Sequence, residues 1–132
     1  MHLNVTTDYG IRVVLYLAKK RGVASSSEIC ANMGIPHTYM HKIVKPLKKA
    51  EILREVRGSN GGFVLIKSPN DFSILTIVNA FEKTMNLNKC LEEDKFCSRN
   101  ASSCCKIREL YVNAQAEFHQ NLDVKVSTFL DT

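Results

Sequence analysis

The stretch SEICANMGIPHTYMHKIV, residues 27–44, decides the fold because it holds two helical patterns separated by a tight turn. A capping-box pattern begins the first helix, with Ser25 three residues before Glu28, and this helix runs to Met33. Gly-Ile-Pro at 34–36 predicts the turn, since glycine and proline favour turns and proline rarely continues a helix. The pattern as a whole predicts a helix-turn-helix unit.

The second helix of this unit is predicted from about His37 to Ala50. Its apolar residues recur at the spacing of one helix face, and its other face is mostly lysine. Pro46 lies inside the pattern and removes a backbone donor, so we expect a kink in the turns beyond Val44.

A β-hairpin is predicted directly after this unit. ILREV at 52–56 and FVLIK at 63–67 are rich in strand-forming residues, and they flank the glycine-rich loop RGSNGG at 57–62. A hairpin with a flexible tip fits this pattern. A helix-turn-helix followed by a hairpin is a winged helix-turn-helix, in which the second helix lies in the major groove of DNA.

A further helix is predicted before the unit, over residues 5–21, from apolar residues at helical spacing. We expect Thr6 or Thr7 to cap its start, because a hydroxyl oxygen can accept from the free N–H groups of the first turn. We expect Gly22 to end it.

Two more helices are predicted in the second half. The first begins at Asp71 or Ser73 and ends near Phe81 or Lys83, and the second is long, running from about Ser103 to Asn121. The long helix has an apolar stripe close to a heptad seam, which suits packing against a second copy of the chain. This stripe comprises Ile107, Leu110, Tyr111, Ala114 and Phe118.

The sequence therefore predicts a mainly α fold with a small β-hairpin. We expect a winged helix-turn-helix region at 1–70 and, at 71–132, a cysteine loop (about 84–105) with a long C-terminal dimerisation helix, in one compact protomer. Residues 1–67 hold eleven Lys and Arg against four Asp and Glu, whereas 68–132 hold seven against nine. This basic excess suggests a polyanion partner for the first half, although a solvated basic surface would give the same count.

A contact surface for DNA is predicted on the second helix and the wing. Side chains near the helix start can reach base edges, lysines further along suit phosphates, and the arginine beside the glycine loop suits the minor groove. The expected contacts are His37, Thr38, Tyr39, His41, Lys42, Lys45, Arg57, Ser59, Asn60 and Gly61. Taken singly, each of them could equally be an ordinary surface residue.

Four of the five cysteines lie in KCLEEDKFCSRNASSCCK, residues 89–106. The N-terminus lacks a secretory pattern and the longest apolar stretch, Val13 to Ala18, is too short for a bilayer, so we expect a cytoplasmic protein with reduced thiols and no membrane partner. Five is an odd number and does not fit a closed set of disulfides, which favours metal binding or thiol redox chemistry. Cys30, on the first short helix, is expected to be an inert core thiol.

These patterns, together with TTDYGIRVVLYLA at 6–18 and CCKIRELYVNAQAEF at 104–118, resemble the IscR/NsrR family of bacterial transcriptional regulators. The RG-x-x-GG wing with a cysteine loop downstream is the most specific part of the likeness. The likeness covers nearly the whole chain and is closest to NsrR-like members. It implies a homodimer that binds a palindromic double-stranded DNA operator and holds an iron–sulfur cluster as its sensor.

The resemblance implies Cys90, Cys97 and one further cysteine as cluster ligands. Cys105 fits the family register better than Cys104, because an apolar residue and then a Leu-aromatic pair follow at the expected positions. Cys105 also lies near the first turn of the long helix, whose positive end favours a thiolate. Cys104 is kept as the alternative to Cys105.

The fourth ligand is less clear from the resemblance. Arg108 occupies the position of the ligating histidine of IscR-like members, and an arginine cannot ligate iron. In NsrR-like members an N-terminal aspartate from the other subunit fills this role, and Asp8 matches it. Charge complementarity in the first helical turn would explain Asp8 equally well. His37 is a further candidate.

The function expected from all of this is a homodimeric repressor whose operator binding is switched by an iron–sulfur cluster. A four-iron cluster (4Fe-4S) is favoured and a two-iron cluster (2Fe-2S) is the alternative; nitric oxide, redox state or iron–sulfur status would be the signal. Two alternatives stay open: a cluster-free DNA-binding thiol redox sensor, and a regulator with a structural zinc. No residues are grouped for catalysis, so we do not expect an enzyme.

Overall fold

The computed structural model describes residues 2–131 and is mainly helical, with one two-stranded antiparallel hairpin. Its helices are α1 (Val5–Lys20), α2 (Ser26–Met33), α3 (Met40–Lys49), α4 (Ile74–Phe81) and α5 (Lys106–Leu122), and its strands are β1 (Leu53–Val56) and β2 (Gly62–Leu65). Short 3₁₀ turns lie at His37–Tyr39, Lys89–Leu91 and Val126–Phe129. The winged helix-turn-helix with a long C-terminal helix is therefore confirmed.

The core surrounds α1, which packs against α2, α3, α4 and β2. Its fully buried side chains come from every part of this arrangement and include Val13, Leu17, Ile29, Ile43, Leu47, Ile52 and Ile77. Cys30 belongs to the same core, as the sequence predicts, and burial raises the pKa of its thiol. The thiol of Cys30 is therefore held neutral and away from reagents.

α1 begins at residue 5 as predicted and ends one residue earlier than predicted, but its predicted caps are wrong. The helix begins after Asn4, so neither Thr6 nor Thr7 is its cap. Thr7 is fully buried and its hydroxyl donates to the carboxylate of Glu82 at 2.8 Å. The helix ends at Arg21, which takes a left-handed conformation (φ 60) one residue before the expected Gly22.

The helix-turn-helix unit begins and ends close to its predicted bounds. The hydroxyl of Ser25 accepts from the N–H of Glu28 at 3.1 Å, and Gly34 ends α2 in the left-handed conformation. The second helix is the 3₁₀ turn followed by α3, and it continues through Pro46 to Lys49. Burial of apolar side chains on both sides of the proline offsets the missing donor.

The wing is fixed to the rest of the domain at its second strand. Leu53 pairs with Leu65 and Val56 with Gly62. Phe63 also exchanges two backbone hydrogen bonds with Ala24, of 3.0 and 2.8 Å, which ties the hairpin to the chain just before α2. The wing therefore extends from a three-stranded arrangement of backbone rather than from a free hairpin.

The chain after α5 returns to the core, which the sequence did not predict. Val126 is fully buried, and its N–H donates to the carbonyl of Phe72 at 3.1 Å. The N–H of Ile74 donates to Val124 O at 3.0 Å beside the capping box of Ser73 at the start of α4. Within residues 2–131 we find no helix with the length and apolar character needed to span a bilayer.

Candidate functional site

The recognition helix α3 separates its apolar and basic residues cleanly. Ile43, Val44 and Leu47 are buried against the core. The outward side carries exposed His41, Lys42, Lys45, Lys48 and Lys49. Because the apolar side is fixed in the core, the basic side is held outward as one continuous surface.

The three residues before α3 differ in how much of each side chain is exposed to solvent. His37 and Thr38 are exposed on the 3₁₀ turn. Tyr39 is only half exposed, because its ring packs edge-on against Tyr9 of α1 at 5.1 Å between centroids. His37 and Thr38 can meet a partner with most of their side chains, whereas Tyr39 offers a part of its ring and its hydroxyl.

The wing presents its polar residues next to this surface. Arg57, Ser59 and Asn60 are exposed at the hairpin tip. A cleft of about 480 Å³ separates the wing from the start of α2, and its lining includes Arg57 and Gly61. Lys48 of α3 forms an ion pair with Glu55 of β1 at 3.0 Å, a contact that sequence reasoning did not foresee and that links the helix to the wing.

Three of the four loop cysteines line one pocket. This pocket has a volume of about 450 Å³ and lies between the cysteine loop and the start of α5. Cys90, Cys97 and Cys105 all contribute to its lining, whereas Cys104 does not and is exposed. Of the adjacent pair, therefore, only Cys105 lines the pocket.

Cys97 and Cys105 lie in different backbone surroundings. The backbone N–H of Ala101, and then that of Arg99, lower the pKa of Cys97; the Arg99 charge and the N–H of Asn100 add to this effect and burial opposes it. Cys105 is the residue immediately before the first turn of α5, where the helix end is positive. The lowered pKa of Cys97 favours its thiolate.

Arg108 lies beside Cys90 in this pocket. It lines the pocket, and its Nε donates to the carbonyl oxygen of Cys90 at 3.2 Å. The side chain of Asn88 also approaches Cys90, with Nδ2 3.5 Å from Sγ. Arg108 follows Cys105 by three residues, a spacing that puts both on one helix face.

Within residues 2–131, no three His, Cys, Asp or Glu side chains are arranged to hold a single metal ion. A tetrahedral zinc needs its thiolates about 2.3 Å from one point. Three thiols around a pocket of about 450 Å³ suit a larger thiolate-bound group instead.

Asp8 lies on the first turn of α1 and is about half exposed. Its carboxylate forms an ion pair with Arg12 Nη2 at 2.9 Å, and the Nη1 of Arg12 donates to Met33 O at 3.0 Å. Near the start of the same helix, Glu82 accepts from the backbone N–H of Asn4 at 2.9 Å. Asp8 is thus exposed enough to meet another molecule while its position on α1 is fixed.

Comparison with known proteins agrees with this architecture. A sequence model of the Rrf2 family, described as an iron-dependent transcriptional regulator, matches residues 3–130. CymR of B. subtilis, described as the global cysteine regulator, is 22% identical, with a TM-score of 0.80 over 98% of this chain and 96% of that one. T. potens IscR is 20% identical, with a TM-score of 0.76 over 98% and 86%.

The oxidised form of S. aureus CymR is also similar, at 21% identity and a TM-score of 0.76 over 100% of this chain and 98% of that one. At these identities the solved structures show a shared fold, and the family match carries the assignment. Rrf2 regulators bind DNA, typically as dimers, and are not enzymes. The chain belongs to the Rrf2 family and is a DNA-binding transcriptional regulator.

Proposed function

We propose that the protein is a homodimeric repressor whose affinity for its operator depends on an iron–sulfur cluster held by Cys90, Cys97 and Cys105. The observation that carries this proposal is the pocket of about 450 Å³ that these three thiols share and Cys104 does not. A site of this kind needs thiolates, and the lowered pKa of Cys97 favours one of them.

The chain's own residues would act on the group in separate ways. The three thiolates would hold it, Arg108 would fix the Cys90 backbone, and Asp8 of the partner subunit would supply the remaining ligand. His37 and Cys104 stay as the alternative ligands. A carboxylate is a weaker ligand than a thiolate for iron, which favours Asp8 as the contact that exchanges first. When bound, the cluster supplies irons that react with redox agents or with small diatomic molecules such as nitric oxide.

Asp8 is the link between this site and DNA. It lies on α1, and α1 packs directly against both α2 and α3. A contact from the partner's cysteine loop to Asp8 would therefore bias how the two recognition helices are spaced. A switch works only if its two states differ in affinity for the operator, so the two spacings must fit DNA differently.

On the DNA side we propose the contacts predicted from the sequence. His37, Thr38, Tyr39, His41 and Lys42 would face base edges, Lys45 would contact phosphate, and Arg57, Ser59, Asn60 and Gly61 would meet the groove beside the wing. The exposure of the basic side of α3 and of the wing tip supports this assignment. A palindromic site would match the two-fold symmetry of a dimer.

The test compares operator affinity in two states of one preparation. A duplex selected from random DNA by anaerobically purified protein would be titrated by fluorescence anisotropy, before and after nitric oxide or iron chelation. We expect affinity to fall by at least about tenfold, the scale of a coupling free energy of 1–3 kcal/mol. Equal affinity in both states would reject the cluster switch and leave the DNA-binding assignment intact.

A second candidate is a cluster-free thiol redox sensor. It is favoured by the exposed Cys104 in a loop where the pKa of Cys97 is lowered. A two-electron oxidant such as a peroxide would convert the Cys97 thiolate to a sulfenic acid, which would condense with the Cys104 thiol to give a disulfide and water. The crystal structure of the oxidised form of S. aureus CymR gives this candidate a precedent in a protein of the same fold. Loss of operator binding by metal-free protein on diamide treatment, reversed by dithiothreitol, would support this candidate over the first.

A structural zinc has no matching group of ligands within residues 2–131.

A further inference from the structure

A polar stripe on α5 holds the first part of the cysteine loop by its backbone. Arg108, Gln115 and His119 recur at spacings of seven and four residues, which puts them on one helix face. Arg108 Nε contacts Cys90 O at 3.2 Å, the N–H of Leu87 donates to Gln115 Oε1 at 2.6 Å, and His119 Nε2 lies 3.1 Å from Met85 O. Side chains from three positions on one helix face thus reach one short segment.

The same segment is closed on itself by Glu92. Its carboxylate accepts from Thr84 Oγ1 at 2.9 Å and from Asn86 Nδ2 at 3.0 Å. The side chain of Asn86 in turn accepts from Gln115 Nε2 at 3.0 Å. Residues 84–92, the docked segment, therefore form one hydrogen-bonded unit fixed to α5, and this unit contains Cys90.

Residues 93–104, the outer segment, are held differently. For the described chain 2–131, the hydrogen bonds of this segment join near neighbours in sequence, such as Asn100 N to Cys97 O at 2.9 Å. Lys95 and Asn100 have positive φ angles of 52 and 53, and most side chains of the segment are exposed. A segment with few buried contacts, whose hydrogen bonds are only local, needs little free energy to open.

We propose that Arg108, Gln115 and His119 are positioning residues that hold Cys90 near Cys105 before any cofactor binds, so that only the outer segment with Cys97 opens and closes. The cofactor-binding role of the site rests on the proposed function. The hydrogen-bonded arrangement itself is a property of the metal-free chain. Two thiols are pre-arranged on one rigid support, and the ordering entropy of loading falls on residues 93–104. Among the three cysteines, Cys97 would be the first to release the cofactor.

The test is amide hydrogen exchange of the full-length, metal-free protein under reducing conditions. We expect the amides of the docked segment, and that of Leu87 above all, to exchange at least about tenfold more slowly than those of the outer segment. Exchange at equal rates in the two segments overturns the inference. This comparison needs no variant and no cofactor, so its failure is separate from the failure of the cluster proposal.

Three variants of α5 test the role of Gln115. Gln115→Leu removes the acceptor for the Leu87 N–H, Gln115→Glu keeps it, and Gln120→Leu is the matched control because Gln120 is exposed on another side of the helix. We expect Gln115→Leu to lose the protection of Leu87 by about tenfold, and the other two variants to keep it. Protection that survives Gln115→Leu contradicts the inference.

The positioning role has one more consequence in protein that binds iron. Chelator-driven loss of iron, followed by absorbance, is expected to be several-fold faster in Gln115→Leu than in Gln115→Glu. If the two variants have the same melting temperature, a general loss of stability cannot explain this difference. Equal rates in these two variants would also overturn the inference. A protein that never binds iron would reject the proposed function, while the exchange result would still stand or fall on its own.

Discussion

Arg57 stands where β1 passes into the glycine loop, and its side chain is exposed. It is the one arginine at the tip of the wing, next to three glycines that bring the backbone within reach of a groove. A guanidinium offers a planar set of donors that a lysine does not reproduce. Specificity of the wing should therefore depend on this residue more than on its neighbours Ser59 and Asn60.

Arg57→Ala is expected to weaken binding to a selected operator by about 1–3 kcal/mol, or roughly 5- to 150-fold, because a desolvated contact is lost along with its charge. The measurement is an anisotropy titration at several salt concentrations. Lys83→Ala is the control, since it removes one exposed charge outside the DNA-binding region. Equal affinities of Arg57→Ala and wild type would remove the wing from the contact surface.

Glu28 connects α1 to α2 by charge. Its carboxylate accepts from Lys20 at 2.6 Å and from the Tyr16 hydroxyl at 2.6 Å. The hydrogen bond from Lys20, and then that from Tyr16, lower the pKa of Glu28. Because the folded pKa is the lower one, the stabilisation is present above the unfolded pKa and is lost as pH falls through the folded pKa.

Glu28→Gln is therefore expected to lower the urea midpoint at neutral pH, and the gap from wild type should close as the pH falls below about 4. Urea unfolding at a fixed protein concentration measures this. Glu117→Gln, at an exposed position of α5, is the control and should give a small gap at every pH. A Glu28→Gln gap that does not change with pH would rule out the ion pair as its source.

At the scale of elements, the glycines of the wing have a packing role as well as a conformational one. A Cβ at Gly62 would lie 2.2 Å from Ala24 O, and Gly62 has a φ of 152. A Cβ at Gly61 would lie 2.2 Å from Val56 O. Gly61 and Gly62 therefore lie where the wing backbone approaches its neighbours closely, whereas Gly58 has open space around it. The sequence prediction of a flexible tip missed this packing role.

Gly62→Ala is expected to destabilise the fold by about 3 kcal/mol, from backbone strain and the contact with Ala24. Gly22→Ala is the control, because Gly22 has open space around it and no strained φ. Urea unfolding of the two variants gives the comparison. Similar midpoints for both would mean that the wing can shift away from Ala24 without loss.

Elements set by local patterns were predictable, and contacts between distant parts of the chain were not. The helix-turn-helix and the hairpin follow from caps, turns and periodicity within a few residues. The cap of α1 was missed because Thr7 turns to Glu82, 75 residues along the chain. The packing of Val126 was missed because a single apolar residue after a helix has no periodic signal.

Only the local features of the candidate site were predictable from the sequence. The family resemblance favoured Cys105 over Cys104, and Cys105 is the one of the two that lines the pocket. The contact of Arg108 with Cys90 spans 18 residues and depends on how the loop folds onto α5. Sequence reasoning excluded Arg108 as a ligand and assigned it no other role. The ligand roles themselves stay predictions.

At the scale of the whole molecule, α5 is an element without a buried side chain. Its apolar residues Ile107 and Leu110 are 54% and 59% exposed in the single chain, although the helix has 17 residues. An exposed apolar stripe of this kind needs a partner surface. Since Rrf2 regulators typically dimerise, the stripe of α5 is the surface we expect to be covered.

Leu110→Glu is expected to raise the dimer dissociation constant by at least about 30-fold, since a two-fold interface would receive two buried charges. Sedimentation velocity across a concentration series measures it. Ala116→Glu is the matched control on another side of the same helix. A Leu110→Glu protein that stays as dimeric as the control would move the interface away from this stripe.

The proposal that Cys90, Cys97 and Cys105 hold an iron–sulfur cluster can be tested directly on protein purified without oxygen. Absorbance spectra with iron and sulfide assays would be recorded for wild type, Cys104→Ser and Cys105→Ser. The account predicts brown wild-type and Cys104→Ser proteins with iron and sulfide in near-equal amounts, and a colourless Cys105→Ser protein. A wild-type protein without iron or sulfide, even after reconstitution, would contradict it.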